Sequence, residues 1–296
     1  MALGFYTLDV FTTKAFTGNP LAVVMDGERL DTSQMQAIAR EFNLSETVFV
    51  LPPDETANTA KLRIFTPDRE LTFAGHPTVG TAILLAELFG IKDEVRLEEG
   101  VGLVQVSIEQ RAAGTFAQLS AAVMPEPWTN VPSDKKIAEA LRLKLQQVGF
   151  GVHRASVFDP GNHPMLYIPL KDRAALAEAK ISHYHWPALG AAGAFLAYLY
   201  CEGEEGSGVD FHARAYSPGT GIGEDPATGS AAAGFPGALF NYDGPWDGTR
   251  SWTIAQGEDM GRASLIELEV DAHGNELNAI RVGGHAVRIS QGTLAV

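Results

Sequence analysis

Apolar and polar residues alternate near the start of the chain. Tyr6, Leu8 and Val10 are separated by polar neighbours, which is the period-two pattern of a strand with one buried face. A second apolar run begins at Leu21, and the turn-forming segment 17–20 (Thr-Gly-Asn-Pro) separates the two runs. The pattern predicts that the chain opens with a β-hairpin-like pair of strands.

Apolar residues then recur at helical spacing. Met35, Ile38 and Phe42 lie three or four residues apart, and Ser33 with Gln36 matches a capping box. These residues predict an amphipathic helix that ends near residue 43.

The rest of the chain mixes short strands and helices. The predicted strands are 45–50, 61–66, 101–108, 114–119, 152–158 and 165–168, and the predicted helices are 78–88, 135–143 and 174–180. They do not alternate with the regular spacing of a parallel doubly wound sheet, so the pattern predicts the α+β class. A proline-rich stretch at 125–132 predicts a domain boundary.

Two phrases occur twice, in the same order. Gly-Asn-Pro at 18–20 is echoed by Gly-Asn-His-Pro at 161–164, and both precede apolar runs. The segment 70–77 is echoed by 224–231, and in both copies a glutamate stands five residues ahead of the glycine that precedes a small-residue helix. The shared order predicts an internal duplication. Two similar halves would face each other across a cleft, where ligands usually bind.

The second pair of phrases also indicates a kind of ligand. Each phrase places a glycine at a helix N-terminus, where unpaired backbone N–H groups and the positive end of the helix dipole attract an anion. We therefore expect a small-molecule carboxylate as substrate. The segment 217–230 matches neither a P-loop nor a dinucleotide fingerprint. The alternative is an ordinary glycine loop in which Asp225 caps the helix.

Two titratable residues stand out near these phrases. Glu46 lies in a run that otherwise suits a strand, so it is either a solvent-facing residue or a partly buried acid able to take and return a proton. His76 is either a structural capping histidine or a partner of a reacting group. His183, His185 and His212 have no cysteine partner and no His-Glu-x-x-His pattern, so no metal site is predicted.

The composition of the chain disfavours some classes of binding partner. With 22 basic and 36 acidic side chains the net charge is −14, which disfavours nucleic acid and anionic membrane surfaces. The longest nearly uncharged apolar stretch, 187–201, has about 15 residues against the ~20 needed to cross a bilayer. Cys201 is the single cysteine, so no internal disulfide forms and a cytoplasmic location is expected.

Four motifs follow one another along the chain. They are Asp9-Val-Phe followed by Gly-Asn-Pro-Leu-Ala-Val-Val, Leu-Ser-Glu46-Thr-Val-Phe, Phe-Ala-Gly-His76-Pro-Thr-Val-Gly, and Gly-Glu-Asp225-Pro-Ala-Thr-Gly-Ser230. Together they resemble the phenazine-biosynthesis isomerase family PhzF, and the resemblance runs nearly end to end.

The resemblance implies the diaminopimelate-epimerase-like fold. In that fold two pseudo-symmetric domains each wrap a β-barrel-like sheet around a central helix, and a homodimer is usual. The segment 282–294 is similar to the family's closing strand. The expected domains are therefore 1–119 with 284–296, and 120–283.

The resemblance also implies an activity, the cofactor-free isomerisation of trans-2,3-dihydro-3-hydroxyanthranilate by moving a proton between ring carbons. By motif, Glu46 would be the acid/base, and His76 and Asp225 would hold the substrate or assist proton movement. The expected substrate-binding residues are Ser45, Gly75, His76, Asp225, Gly229 and Ser230. No cofactor and no metal are expected.

The chain departs from the related epimerases and proline racemases, which use two thiols. Their places are occupied by Ala74 and Thr228, which excludes two-thiol racemisation. Two alternatives to the isomerase stay open. One is a non-catalytic metabolite-binding or interaction protein of the same fold. The other is an epimerase with non-thiol bases, for which Asp225 is the obvious candidate.

Overall fold

The chain forms two compact units. The computed structural model describes residues 2–161, 163–181, 184–190, 193–194, 196–217 and 223–295. The first unit comprises Met1–Ser120, Arg262–Leu265 and Gly283–Val296, and the second comprises Ala121–Gly261 and Ile266–Val282. Among the described residues, no helix combines the length and the apolar character needed to span a bilayer.

The first unit is a sheet with two helices. Its strands are β1 (Ala2–Val10), β2 (Asn19–Val24), β3 (Glu46–Leu51), β4 (Ala60–Phe65), β5 (Glu70–Leu71), β6 (Glu94–Glu99), β7 (Gly102–Arg111) and β8 (Gly114–Ser120), and its helices are α1 (Thr32–Phe42) and α2 (Gly75–Phe89). The hairpin of β1 and β2 is antiparallel, with Val10 opposite Asn19. The neighbouring pairs β2–β3 and β4–β6 are parallel, whereas β3–β4 and β6–β7–β8 are antiparallel.

Helix α1 confirms the predicted amphipathic segment but begins differently. Its N-cap is Asp31, whose carboxylate accepts from the Gln34 backbone N–H at 2.9 Å, while the Gln34 side chain accepts from the Asp31 N–H. The predicted capping box of Ser33 and Gln36 is therefore wrong. An aspartate accepts these bonds as well as a serine does, and it lies two residues earlier.

Helix α2 is enclosed by the sheet. Its residues from Gly75 to Ala86 are all buried, the pattern of a helix that is apolar around its whole circumference. A side chain at Gly80 would place its Cβ 2.6 Å from Val10 and 2.7 Å from Leu21, so only glycine allows this approach to β1 and β2. The helix also includes Gly75 and the two residues after it, which precede the predicted helix start at residue 78.

The second unit has a similar composition of elements. Its strands are β9 (Glu126–Trp128), β10 (Ser156–Asp159), β11 (Met165–Pro169), β12 (Leu196–Glu202), β13 (Phe211–Ser217), β14 (Gly223–Asp225), β15 (Gly248–Gln256), β16 (Ser264–His273, in this unit from Ile266) and β17 (Glu276–Ala295, in this unit to Val282). Its helices are α3 (Asp134–Leu141), α4 (Arg173–Glu178), α5 (Trp186–Gly190) and α6 (Gly229–Tyr242).

The strand pairings of the first unit recur in the second. The pairs β10–β11, β12–β13 and β13–β14 are antiparallel, like β1–β2, β3–β4 and β4–β5, while β11–β12 and β13–β15 are parallel, like β2–β3 and β4–β6. Helix α6 stands in the place of α2, and its Gly234 approaches Tyr167 where Gly80 approaches Val10. The duplication predicted from the repeated phrases is thus present in the order of strand pairing. Asn162 of the second Asn-Pro phrase and residues 218–222 of the glycine loop lie outside the described residues.

The repeated glutamates make the same contact in both units. Glu70 receives two hydrogen bonds of 2.7 Å from the Arg63 guanidinium, and Glu224 receives two of 2.7 and 3.0 Å from Arg214. Each arginine lies on the strand beside its glutamate and over an aromatic ring two residues further along. Bidentate Arg–carboxylate pairs combine attraction with fixed geometry. In each unit the pair holds the strand that leads to the central helix.

Candidate active site

Glu46 is the first residue of β3. In the parallel pairing of β2 and β3 it lies opposite Leu21, and its side chain is buried with the apolar face of the strand. Of the two alternatives for this residue, solvent-facing or buried, the structure therefore shows the buried one. A carboxyl group withdrawn from water needs polar neighbours, and one of them is His76 of α2.

His76 lies in the first turn of α2 and is also buried. Burial lowers the pKa of His76 from 6.5 to about 3, because the imidazolium form would lose its hydration. The ring is consequently neutral at pH 7, with one nitrogen able to donate and the other able to accept a hydrogen bond.

Three side chains meet at this point of the first unit. His76 Nε2 lies 3.2 Å from Glu46 Oε2, without the alignment of a hydrogen bond. The other ring nitrogen, Nδ1, lies 3.2 Å from Nδ2 of Asn19, the first residue of β2. The buried Nε2 has no aligned hydrogen-bond partner among the described residues. A buried polar atom without a partner needs an explanation, and a bound substrate that supplies the missing partner is one.

Asn19 was not among the predicted site residues. The signal for it was present, because Asn19 is the central residue of the first repeated phrase. Its position follows from the turn before it: Gly18 has a φ of +70°, and a Cβ there would meet the Val10 carbonyl oxygen at 2.4 Å. Glycine thus allows the tight turn that presents Asn19 to His76.

Asp225 lies at the end of β14 in the second unit. Its Oδ2 accepts a 2.6 Å hydrogen bond from the Thr228 hydroxyl, and its backbone oxygen accepts one of 2.8 Å from the buried Gln256 amide. The N-cap residue of α6 is Thr228, so the alternative in which Asp225 is the cap is not what the structure shows. Asp225 shapes the turn that precedes the helix.

The remaining predicted residues lie at the ends of the same elements. Ser45 is half-buried directly before β3, and Gly75 and Gly229 are the buried first residues of α2 and α6. Ser230 is half-buried in the first turn of α6. The structure thus groups Ser45, Glu46, Gly75 and His76 in the first unit, and Asp225, Gly229 and Ser230 in the second.

The first turns of the two central helices share an electrostatic property. Neither N-cap, Ala74 or Thr228, caps its helix through its side chain, and neither first turn contains an acidic residue. The backbone N–H groups of Gly75 and Gly229 therefore keep the anion-attracting character of a helix start. Within the described residues, no group of three or more His, Cys, Asp or Glu side chains is arranged to hold a metal ion.

Comparison with known proteins identifies the family of this chain. Residues 8–292 match the family PhzC-PhzF, described as phenazine biosynthesis-like protein. The chain belongs to the PhzC-PhzF family. The resemblance expected from the four motifs is thereby confirmed.

Several relatives of this PhzC-PhzF protein are named as isomerases. The chain is 45% identical to an uncharacterized isomerase of Mesorhizobium japonicum, over 97% of each chain. It is 31% identical to the trans-2,3-dihydro-3-hydroxyanthranilate isomerase of Pseudomonas chlororaphis, over 98% of each. These relatives confirm the expectation that the chain is an isomerase.

Solved structures confirm the PhzC-PhzF fold. The crystal structure of a PhzF-family phenazine biosynthesis protein of Bacillus anthracis matches with a TM-score of 0.89 at 23% identity and covers 100% of both chains. A probable proline racemase of Agrobacterium radiobacter matches with a TM-score of 0.65 at 13% identity, over 99% of this chain and 93% of that one. Both show the fold alone, and that fold is the expected pseudo-symmetric α+β architecture.

The PhzC-PhzF chain differs from a two-thiol enzyme at defined positions. Ala74 and Thr228 are the N-cap residues of α2 and α6, so they occupy equivalent places in the two units. Neither carries a thiol. Cys201 is buried in β12, and burial raises the pKa of its thiol to about 12, so it is not a nucleophile or base at neutral pH.

Proposed function

We propose that the protein is a cofactor-independent isomerase that moves a proton within a small cyclic or unsaturated carboxylate of the dihydro-hydroxyanthranilate type, with Glu46 as the acid/base. The observation that carries the proposal is the contact of Glu46 with His76. A buried carboxyl group lies 3.2 Å from a buried, neutral imidazole whose Nε2 has no aligned partner among the described residues. Two polar groups held in this way favour proton exchange with a bound molecule.

The proton shift balances without a redox partner. The Glu46 carboxylate takes a proton from a carbon next to the unsaturated system, and the C–H electron pair moves into that system. The resulting carboxylic acid then returns the proton to another carbon. One bond to hydrogen breaks and one forms, so the product is an isomer of the substrate.

His76 supports this step as a neutral hydrogen-bonding group. Its pKa of about 3 means that it does not compete with Glu46 for the proton at neutral pH. The neutral ring can instead hold a polar group of the substrate through Nε2, while Asn19 at Nδ1 fixes the ring orientation. The N-terminus of α2, directly beside His76, favours a substrate carboxylate.

Asp225 and Ser230 stay predicted substrate contacts, and Ser45, Gly75 and Gly229 stay predicted binding residues. Their placement at the ends of β14, α6, β3 and α2 is compatible with these roles. The carboxylate specificity is expected to come mainly from the uncapped start of α2, which carries His76.

The test is NMR in D₂O with trans-2,3-dihydro-3-hydroxyanthranilate, following deuterium uptake and isomer formation. Wild type is expected to produce the isomer, whereas Glu46→Gln keeps the size and hydrogen bonding of the side chain but loses the base. Such a loss typically costs about 10²–10⁴-fold in rate. Glu98→Gln on the exposed face of β6 is the matched control and should behave as wild type.

The outcomes separate the hypotheses. Undiminished exchange by Glu46→Gln would refute Glu46 as the base. Ligand-induced shifts of protein signals without turnover by wild type would favour a metabolite-binding protein. Deuterium incorporation with inversion at one carbon, and no double-bond shift, would favour an epimerase with non-thiol bases.

A further inference from the structure

Glu99 is a buried acid that the proposed reaction does not use. It ends β6 on the buried face of the strand, after Val95 and Leu97, and its side chain points toward the first turn of α2. Its Oε1 lies 2.8 Å from the hydroxyl oxygen of Thr78. Its Oε2 is buried with no hydrogen-bond partner among the described residues.

The Thr78 hydroxyl fixes the direction of these bonds. The same oxygen lies 2.8 Å from the backbone oxygen of Ala74, which is the N-cap residue of α2. A hydroxyl carries one proton, whereas the Ala74 carbonyl oxygen, which also accepts from the Thr78 backbone N–H at 3.2 Å, and an ionised Glu99 oxygen are both acceptors only. If Glu99 were ionised, one of the two contacts would bring two acceptors together without a proton between them.

A protonated Glu99 satisfies both contacts. Its O–H donates to Thr78 Oγ1, and the Thr78 hydroxyl donates to the Ala74 carbonyl oxygen. The remaining Glu99 oxygen is then a carbonyl oxygen, which costs much less to leave unpaired in a core than a carboxylate oxygen.

The second unit holds an independent counterpart. In the parallel register, Lys61 lies opposite Glu98, so Glu99 follows at the next position, and Ala213 lies opposite Gln256. Glu99 therefore falls opposite the residue before Arg63, and Gln256 lies opposite the residue before Arg214. Since the two arginines are equivalent, Gln256 and Glu99 occupy equivalent places in the two units.

Gln256 forms hydrogen bonds at the start of α6, as Glu99 does at the start of α2. Its amide donates to Thr228 Oγ1 at 3.0 Å and to the Asp225 backbone oxygen at 2.8 Å, and its oxygen accepts from the Thr228 N–H at 3.2 Å. Thr228 is the N-cap of α6. The counterpart is thus the neutral isostere of glutamic acid, bonded to the start of the other central helix.

We propose that Glu99 is held as a neutral, protonated acid that positions the N-terminal turn of α2 through Thr78 and Ala74. It is a positioning residue for the site of Glu46 and His76. Its role in catalysis rests on the proposed function, whereas its protonation state does not.

The surroundings of Glu99 agree with a neutral group. Burial raises the pKa of Glu99 to about 8, and no charged side chain contributes to that value. On the elements packed against it, His76 of α2 is neutral at pH 7, and Glu87 lies at the far end of that helix. Lys61 of β4 lies opposite Glu98 in the strand register and its ammonium pairs with Asp54 at 2.6 Å, and Gly102 of β7 lies opposite Glu99.

Infrared spectroscopy of the protonated-carboxyl stretch tests the proposal directly. Wild type and the control Glu98→Gln should both show at pH 6 a protonated-carboxyl band that Glu99→Gln lacks. The band should disappear with a midpoint near pH 8. Identical spectra for wild type and Glu99→Gln in this region would overturn the proposal.

A second measurement needs no Glu99 variant. In protein with ¹³C-labelled glutamate carboxyl groups, one resonance should titrate near pH 8 and should persist in Glu46→Gln. If every glutamate resonance outside Glu46 titrates below pH 6, Glu99 is ionised at neutral pH and the proposal fails. Neither result depends on turnover, so failure of the proposed isomerase activity would be recognised separately.

The positioning role has its own readout. The decline of kcat/KM on the alkaline side should move to higher pH in Glu99→Gln, because glutamine keeps the donor to Thr78 without titrating. Thr78→Ser should keep the wild-type profile, whereas Thr78→Val should lower kcat at all pH values. An alkaline decline with the same midpoint in wild type and Glu99→Gln would contradict the role.

Discussion

Replacement of Glu99 by glutamine is expected to remove a pH-dependent loss of stability. In the unfolded chain this carboxyl group has a pKa of 4.5, whereas burial raises the pKa of Glu99 in the folded protein to about 8. Between these values the unfolded state has released the proton and the folded state has kept it. Unfolding is therefore increasingly favoured as pH rises from 4.5 to about 8, and the loss is complete above the folded value.

The size of the effect follows from the same two values. Each pKa unit corresponds to about 1.4 kcal/mol, so the full difference amounts to about 5 kcal/mol of unfolding free energy. This is a large part of the 5–15 kcal/mol that is typical of a domain. Glutamine cannot lose a proton, so the variant should avoid the loss while keeping the bond to Thr78.

Urea unfolding of both proteins at pH 5 and pH 9 measures the difference. The unfolding free energy of Glu99→Gln minus that of wild type should be several kcal/mol larger at pH 9 than at pH 5. Glu98 is the control, because hydrogen bonds from Asn58 and the backbone of Asp54 and Glu55 hold its pKa below the usual value. Glu98→Gln should therefore differ from wild type by nearly the same amount at pH 5 and pH 9, because Glu98 loses its charge only below that window. Parallel stability curves for wild type and Glu99→Gln would refute the reasoning.

Three further predictions concern the site, the core and the assembly. His76→Ala should lower turnover by about 10²-fold, a larger effect than its cost in melting temperature at pH 7. Burial lowers the pKa of His76 to about 3, so the stability of the wild-type protein falls as pH drops from 6.5 toward 3. The difference in unfolding free energy between wild type and His76→Ala, measured with urea, should therefore be smaller at pH 4 than at pH 7. Gly234→Ala brings a Cβ within 2.1 Å of the Tyr167 hydroxyl and should cost about 1–3 kcal/mol in thermal unfolding, whereas Gly4→Ala, with open space around it, should be nearly neutral. Light scattering should give about twice the chain mass of 31.7 kDa, and a monomer mass would contradict the expected homodimer.

Local patterns in the sequence predicted much of the fold because they reflect local physics. Alternation predicted β1, and helical spacing predicted α1, whose cap was misplaced because aspartate and serine are nearly interchangeable there. The repeated phrases predicted the duplication because each one precedes a buried strand or a central helix. The segment Arg262–Leu265 carries no such pattern. It joins the first unit through long-range bonds, including those of Arg262 to Asp9 and to the Gly18 backbone oxygen.

The site was predictable in part for the same reason. Glu46 and His76 stand in distinctive motifs, but the 3.2 Å contact between them depends on the parallel pairing of β2 with β3 and on the packing of α2. Glu99 was not identified because it ends an unremarkable run, Glu-Val-Arg-Leu-Glu-Glu, in which burial alone separates it from Glu98. Its relation to Gln256 appears only when the two strand registers are compared.

The pairing of β1 has a consequence for how the protein is made. On one side β1 pairs with β2, and on the other it pairs with the end of β17, from Ala286 opposite Val10 to Ala295 opposite Ala2. Residues 25–285 lie between these two partners along the chain. Until residues 286–295 leave the ribosome, one edge of β1 stays open, and open strand edges invite pairing with other chains. The first unit can therefore be completed only after residues 121–261 and 266–282 of the second unit have been synthesised.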